Sequence, residues 1–317
     1  MQKTFRLKDD EVVLHSHHHH HGTAGRLKWS FAVTFLFVIF ELIAGLRAGS
    51  LALVSDAGHN FTDALALVLA AFSLYLQSKP ADDVKTFGYH RAGVLAAFVN
   101  ALTLVLISGV IFYEAALRLM NPQPIEEWTM LWVAVIALLM NAAIVFGLHR
   151  DKHDLNIRAA YLHMLGDALS SAAIIVGALA IHFTGWRQVD PALSIFIGLL
   201  ILWTSWDIIK ESLNVLLEGL PRGLELKSVT AAMQDVGGVI DVHDLHIWSL
   251  GSSAHALSCH VLIEDMPPSE SDAILKCINE RLNGFHIHHT TVQFEHVRCA
   301  LSDSPCTMPT PERPRTH

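Results

Sequence analysis

Two pairs of residues carry the chemistry that sets the question. His59 and Asp63 are four apart, and so are His163 and Asp167. On a helix, residues at i and i+4 share one face. Two such helices facing each other present two imidazoles and two carboxylates to one point. That N₂O₂ set suits a tetrahedral zinc ion. Small residues flank both pairs, Ala57 and Gly58 on one side, Gly166 and Ala168 on the other. Small residues let helices approach closely in a membrane.

The segments that hold these pairs are apolar. The 317-residue chain is 52% hydrophobic and 16% charged, against about 25% charged in soluble domains. Six apolar runs span Leu27–Arg47, Leu51–Gln77, Ala92–Leu119, Trp128–Leu148, Ala159–Phe183 and Pro191–Ile209. A bilayer core takes about 20 helical residues, so the runs predict six transmembrane helices. A histidine or aspartate at mid-membrane is costly, and two matched pairs on separate helices point to a ligand set rather than packing. The net charge of −8 excludes a basic nucleic-acid footprint. No apolar stretch near the start suggests a cleaved signal, so the first helix is read as an uncleaved insertion signal. Lysine and arginine concentrate before the first run, after the second and after the fourth. By the positive-inside tendency, both termini are expected in the cytoplasm and the protein in the cytoplasmic (inner) membrane, spanning the lipid bilayer several times.

After Leu217, Glu218-Gly-Leu-Pro221 breaks the last helix. The following residues read as helix Leu224–Val236, strands Val239–Ser249 and Ala254–Ile263, helix Pro268–Leu282 and strand Thr290–Val297. That αββαβ order fits a small α+β domain with helices on one face of a sheet. The expected division is a histidine-rich tail over 1–26, a transmembrane domain over 27–217, a cytoplasmic domain over 218–300 and a disordered tail over 301–317. The last segment holds four prolines and little that is apolar. Cys259, Cys277, Cys299 and Cys306 all follow the helices, where cytoplasmic thiols stay reduced.

The chain resembles the cation diffusion facilitator family, of the bacterial zinc-exporting kind, from Lys28 to about Val297. The resemblance rests on Gly49-Ser-Leu-Ala-Leu-Val-Ser-Asp-Ala-Gly-His59, Asn156-Ile-Arg-Ala-Ala-Tyr-Leu-His163, Leu217-Glu-Gly-Leu-Pro221 and Val242-His-Asp-Leu-His-Ile-Trp248. It implies a homodimer, six transmembrane helices, a ferredoxin-like cytoplasmic domain and exchange of Zn²⁺ for protons, with no enzymatic activity. It associates the His59–Asp63 pair with zinc preference, an aspartate at that histidine going with readier acceptance of cadmium. It places regulatory metal ligands at His243, His260, His288 and Glu295. It also implies a pairing of Arg91 with Glu218 that holds the dimer's helices together. Lys85 and Tyr89 stand where some relatives carry histidines, so their interfacial metal site is expected to be missing. Imidazole binds zinc only when deprotonated, so metal uptake through such a set releases protons.

Other histidines have a weaker pattern. His15 and His17 to His21 suggest a metal-collecting tail, with a purification tag as the alternative. His149 and His153 fit a collecting loop or an ordinary surface equally. His243 and His246 lie three apart on one strand, which predicts opposite faces. An intramembrane metalloprotease would need a run such as His-Glu-x-x-His, which the sequence lacks. A channel or importer would carry the same ligands, so direction stays open at this level. A pure metal sensor would need no ligands inside the membrane.

Overall fold

The computed structural model describes residues 21–148, 155–251 and 254–297. Six long helices come first: α1 His21–Ala48, α2 Leu51–Gln77, α3 Ala92–Met120, α4 Glu127–Leu148, α5 Leu155–Thr184 and α6 Val189–Leu216. Among the described residues, five of them, α2 to α6, are long and apolar enough to cross a membrane. Their surfaces are those of a protein dissolved in lipid. Large apolar side chains such as Leu106, Val110, Tyr113, Phe146 and Trp203 point outward. The interior is instead lined by small residues, among them Ala52, Ala101, Ala115, Ala134 and Ala178. With no hydrophobic force between helices in lipid, close contact of small residues takes its place. Gly198 illustrates this, because a Cβ there would lie 2.6 Å from the Phe112 ring.

α3 packs along α6 and α4 along α5, while α2 and α5 touch only sparsely. The turn from α1 to α2 is fastened from three directions. Asp190, buried at the start of α6, accepts from Ser50 Oγ at 2.6 Å, Leu51 N at 2.8 Å and Ala52 N at 3.2 Å. Arg118 of α3 donates to Gly49 O at 2.5 Å. Glu126 N donates to Ala48 O at 2.9 Å. Gly49 has φ +68°, and a Cβ there would meet Pro124 O at 2.7 Å, so glycine is required twice over.

α6 runs about two turns beyond Ile209, where its apolar run stops. Charged Lys210 and Glu211 ended the hydrophobic pattern, not the helix, and Glu211 pairs with Arg222 at 2.6 Å. Beyond it lie α7 Leu226–Gln234, β1 Val239–Ser249, β2 His255–Ile263, α8 Pro268–Asn283 and β3 Ile287–Glu295. The sheet order is β1-β2-β3, with β1 antiparallel to β2 and β2 parallel to β3. The parallel pair needs a crossover, which α8 supplies. Val229, Met233, Ile274, Ile278 and Leu282 of the two helices pack on Val242, Ile247, Leu257 and Val261 of the sheet. β3 begins at Ile287, three residues before the expected Thr290, because Ile287 is a core residue in a histidine-rich run.

Within one chain, Arg91 reaches Glu218 at 3.1 Å and Ser249 O at 3.4 Å. The α2–α3 loop thus meets both the end of α6 and the end of β1. Phe87 of that loop lies edge-on to His289, centroids 5.1 Å apart. Asp82 turns the loop by accepting from Lys85 N at 2.6 Å and Val84 N at 2.9 Å, and these amides hold its carboxyl below the usual range.

Asp190→Ala would leave two backbone amides and a hydroxyl without their buried acceptor. Such losses cost about 1–3 kcal/mol each in the worst case. The variant should therefore melt clearly below the unmodified protein in detergent, followed by fluorescence size-exclusion. An unchanged melting point would mean that the Arg118–Gly49 and Glu126–Ala48 bonds hold the turn without Asp190.

Candidate metal centres

The first centre lies where α2 crosses α5. His59 and Asp63 project from one face of α2, and His163 and Asp167 from one face of α5, as the i, i+4 spacing requires. His59 Nε2 is 3.5 Å from Asp63 Oδ2 and 3.6 Å from Asp167 Oδ1. His163 Nε2 is 3.2 Å from Asp63 Oδ2 and 3.8 Å from Asp167 Oδ2. The two rings meet edge to face at 5.8 Å. Ligand atoms of His59, His163 and Asp167 all fall within 4.8 Å of one another. Asp167 is buried, whereas His163 remains partly open. His59 Nδ1 and Asp63 Oδ2 are buried without a hydrogen-bond partner. Buried polar atoms normally find partners, so these two stand out from ordinary packing.

Around the four lies a polar layer that the sequence reading passed over. Ser170 Oγ donates to Asp56 Oδ1 at 2.7 Å, and Asn60 Nδ2 to Glu41 Oε2 at 3.3 Å. A signal for Glu41 was present, since it is the one carboxylate in the apolar run Leu27–Arg47. A lone acid in such a run marks function by default.

The second centre lies on the sheet face away from α7 and α8. His243 pairs in register with His260, and Leu262 with Glu295. His243 Nε2 is 3.2 Å from Glu295 Oε2, and His260 Nδ1 is 2.9 Å from Glu295 Oε1. The first contact is close but off the hydrogen-bonding direction, so His243 Nδ1 and Nε2 and Glu295 Oε2 stay unpartnered and buried. The imidazole rings stand 5.4 Å apart. His243, His260 and Glu295 offer ligand atoms within 4.8 Å of one another.

Two sequence expectations need correction here. His288 does not join this group in the chain. It stands at the other end of β3, seven residues before Glu295. At about 3.3 Å per strand residue that is roughly 23 Å. Its ring instead neighbours His286, centroids 6.4 Å apart. His243 and His246 also do not take opposite faces. His243 opposes His260 and His246 opposes Ser258, so three residues of β1 face two of β2. The extra residue is a β-bulge, which restores both histidines to one face. Asp244 makes the bulge with φ +51°, and its carboxylate lies 3.1 Å from His246 and 3.9 Å from His260. Strict alternation hid this acid beside the centre.

Cys259 is buried in the apolar core of the sheet domain, where burial pushes its thiol up to about 12. Cys277 is exposed and free. His255 lies nearer the helices, its imidazole held below the usual range by burial and by His286 and His288. Cys299, Cys306, His149, His153 and the amino-terminal histidines lie outside the residues whose side chains are described.

Comparison with known proteins adds the following. Residues 27–217 match the family described as cation efflux transmembrane domain, and residues 221–297 the cation efflux protein, cytoplasmic domain. The chain is 40% identical to the zinc transporter ZitB of Escherichia coli K12 over 288 residues, 90% of this chain and 91% of that protein. It is 40% identical to the metal cation efflux system protein CzcD of Cupriavidus metallidurans over 291 residues, 92% of each. It is 38% identical to the cadmium, cobalt and zinc/H(+)-K(+) antiporter of Bacillus subtilis over 292 residues, 91% of this chain and 94% of the relative.

Replacing His260 by alanine removes one of three converging donors from the second centre. The full-length variant should bind one zinc ion fewer per chain by equilibrium dialysis, or bind it at least about 100-fold more weakly. Unchanged stoichiometry and affinity would reduce that cluster to surface histidines.

Proposed function

This chain belongs to the cation efflux family of membrane transporters, and from that premise we propose that it carries Zn²⁺ out of the cytoplasm in exchange for protons through His59, Asp63, His163 and Asp167. The observation that carries this reading is the convergence of His59, His163 and Asp167 from two helices, with Asp63 within 3.5 Å of both imidazoles and buried ligand atoms left unpartnered. Relatives of about 40% identity are named as zinc transporters and as a metal/proton antiporter.

The donor set explains the selectivity. Two imidazoles and two carboxylates suit a borderline-soft tetrahedral ion, and disfavour magnesium and calcium, which prefer more oxygen ligands. It also explains the exchange. A protonated imidazole cannot ligate, so the metal displaces protons on entry and protons displace the metal on exit. The site straddles the sparse seam between α2 and α5. Rocking of the α4–α5 pair against the other helices would open it to one side at a time without breaking a close-packed interface.

In this reading α1 is the sixth span, the termini are cytoplasmic and the protein sits in the inner membrane as a homodimer. The αββαβ region is its ferredoxin-like cytoplasmic domain, lying beyond residue 217. His243, His260 and Glu295, with Asp244 beside them, form a regulatory zinc site there. Zinc offsets the like charge of Glu295 and Asp244. A shift of that domain reaches the helices through Arg91, which holds Glu218 and Ser249 O together.

Asp63→Ala or Asp167→Ala should lower zinc flux into sealed inverted vesicles by at least about 100-fold, with the protein still inserted and monodisperse. Flux near the unmodified rate in either variant would remove the assignment. His59→Asp makes the set richer in oxygen. It should raise the cadmium-to-zinc transport ratio several-fold, and a constant ratio would place selectivity outside these four residues.

A further inference from the structure

One turn along α2 from His59, on the side away from the sheet domain, two carboxyls meet out of reach of outside solvent. Glu41 of α1 and Asp56 of α2 have 0% and 1% of their surface exposed. Each carboxyl lies within hydrogen-bonding reach of the other. Each has one further donor, Asn60 Nδ2 for Glu41 and Ser170 Oγ for Asp56. Glu41 Oε1 and Asp56 Oδ2 are then left without any donor. Neither acid forms an ion pair with a lysine, arginine or histidine among the described residues. Two buried carboxylates side by side repel, and such a pair ionises only once unless a cation joins it.

Geometry decides which cation. Two carboxyl oxygens in hydrogen-bond contact leave the width of a proton between them. An alkali or divalent ion needs more than 2 Å to each oxygen and a fuller shell of ligands, roughly six to eight for calcium. The neighbours here are an amide NH₂ and a hydroxyl that already donate. We propose that Glu41 and Asp56 form a proton-binding site, separate from the four metal ligands, that holds one proton between its two carboxyls and gives it up when a divalent metal occupies the neighbouring set.

The coupling is electrostatic. The charged groups facing the pair are Asp167 on α5 and His59 on α2. The acids and bases of α3 and α4 stand toward their helix ends, and Asp190 of α6 caps the start of α2. With the metal set empty, Asp167 is one more acidic group beside two carboxyls that already repel. A dication bound by His59 and Asp167 opposes a proton on the pair. Metal binding therefore expels one proton from Glu41–Asp56 into solution, and metal loss lets solution return it. By linkage the proton weakens metal binding by the same factor. The structure joins the two sites by short paths, His59 to Asp56 and Asp167 to Ser170, each within one helical turn. This proposal rests on the metal–proton exchange reading above and supplies a proton that the four ligands do not carry.

The test uses the purified full-length protein in detergent. Zinc titration calorimetry in buffers of different ionisation enthalpy counts the protons released per ion. Glu41→Gln and Asp56→Asn should each still bind zinc but release about one proton fewer, and the slope of log Kd against pH should fall by about one. The double variant should lose the same single proton, because one proton belongs to the pair. Infrared difference spectra of the unmodified protein should show a protonated carboxyl C=O band lost on zinc addition, a readout that needs no variant to fold. Absence of that band, or an unchanged proton count in monodisperse variants, would overturn the proposal. So would zinc affinity that depends on K⁺ rather than choline and loses that dependence in Glu41→Gln, since the pair would then hold an alkali ion. If the unmodified protein releases no protons with zinc, the exchange reading itself fails, a result distinct from variants that match an exchanging parent.

Discussion

A carboxylate withdrawn from water has three ways to persist: a cation, a set of donors, or a proton. The helical part of this protein places acids in each condition. Asp190 takes donors, with three N–H and O–H groups of the α1–α2 turn arranged around it. Asp63 and Asp167 face imidazoles at 3.2 to 3.8 Å. Glu41 and Asp56 have mainly each other. Lipid makes the constraint severe, because no solvent is available to satisfy what the fold leaves open. The arrangement of helices follows from it. Asp190 fastens the beginning of α2, and the acids deeper along α2 then occupy fixed depths.

The groups at the α2–α5 crossing differ from ordinary packing in one respect. Asp190 is fully engaged, with three donors around its carboxylate. The α2–α5 crossing keeps unpartnered atoms and sparse helix contact. Unsatisfied polar atoms cost stability, and so does a loosely packed seam. Both costs fall at one place, the crossing proposed to bind the metal. The neighbouring interfaces, α3 on α6 and α4 on α5, are tight.

The sheet domain repeats this economy in water. Its inner face is apolar and filled by α7 and α8. Its outer face gathers His243, His260, Glu295 and Asp244 along neighbouring strands. The bulge at Asp244 is the device that does so, since without it His246 and the acid would turn away. A single surface ion pair is worth little. Arg91 matters through what it joins, a helix loop, the exit of α6 and the end of β1.

Much of this was legible in the residues. Apolar length determines a membrane helix, because the bilayer thickness is fixed and each helical residue adds a fixed rise. The i, i+4 pairs determine a shared face for the same geometric reason. The αββαβ order followed from a change of period after Pro221. What tertiary structure alone decided are relations between segments distant in sequence. Nothing local says that Glu41 meets Asp56, that Asp190 caps a helix 139 residues earlier, or that Glu295 stands beside His260. The bulge is a similar case, since one inserted residue reverses the facing of a strand and leaves no mark in a pattern of alternating polarity. His288 shows the converse. Its residue type suits a ligand, but a strand extends by a fixed length per residue, and only the pairing register reveals which end of β3 lies beside the other histidines.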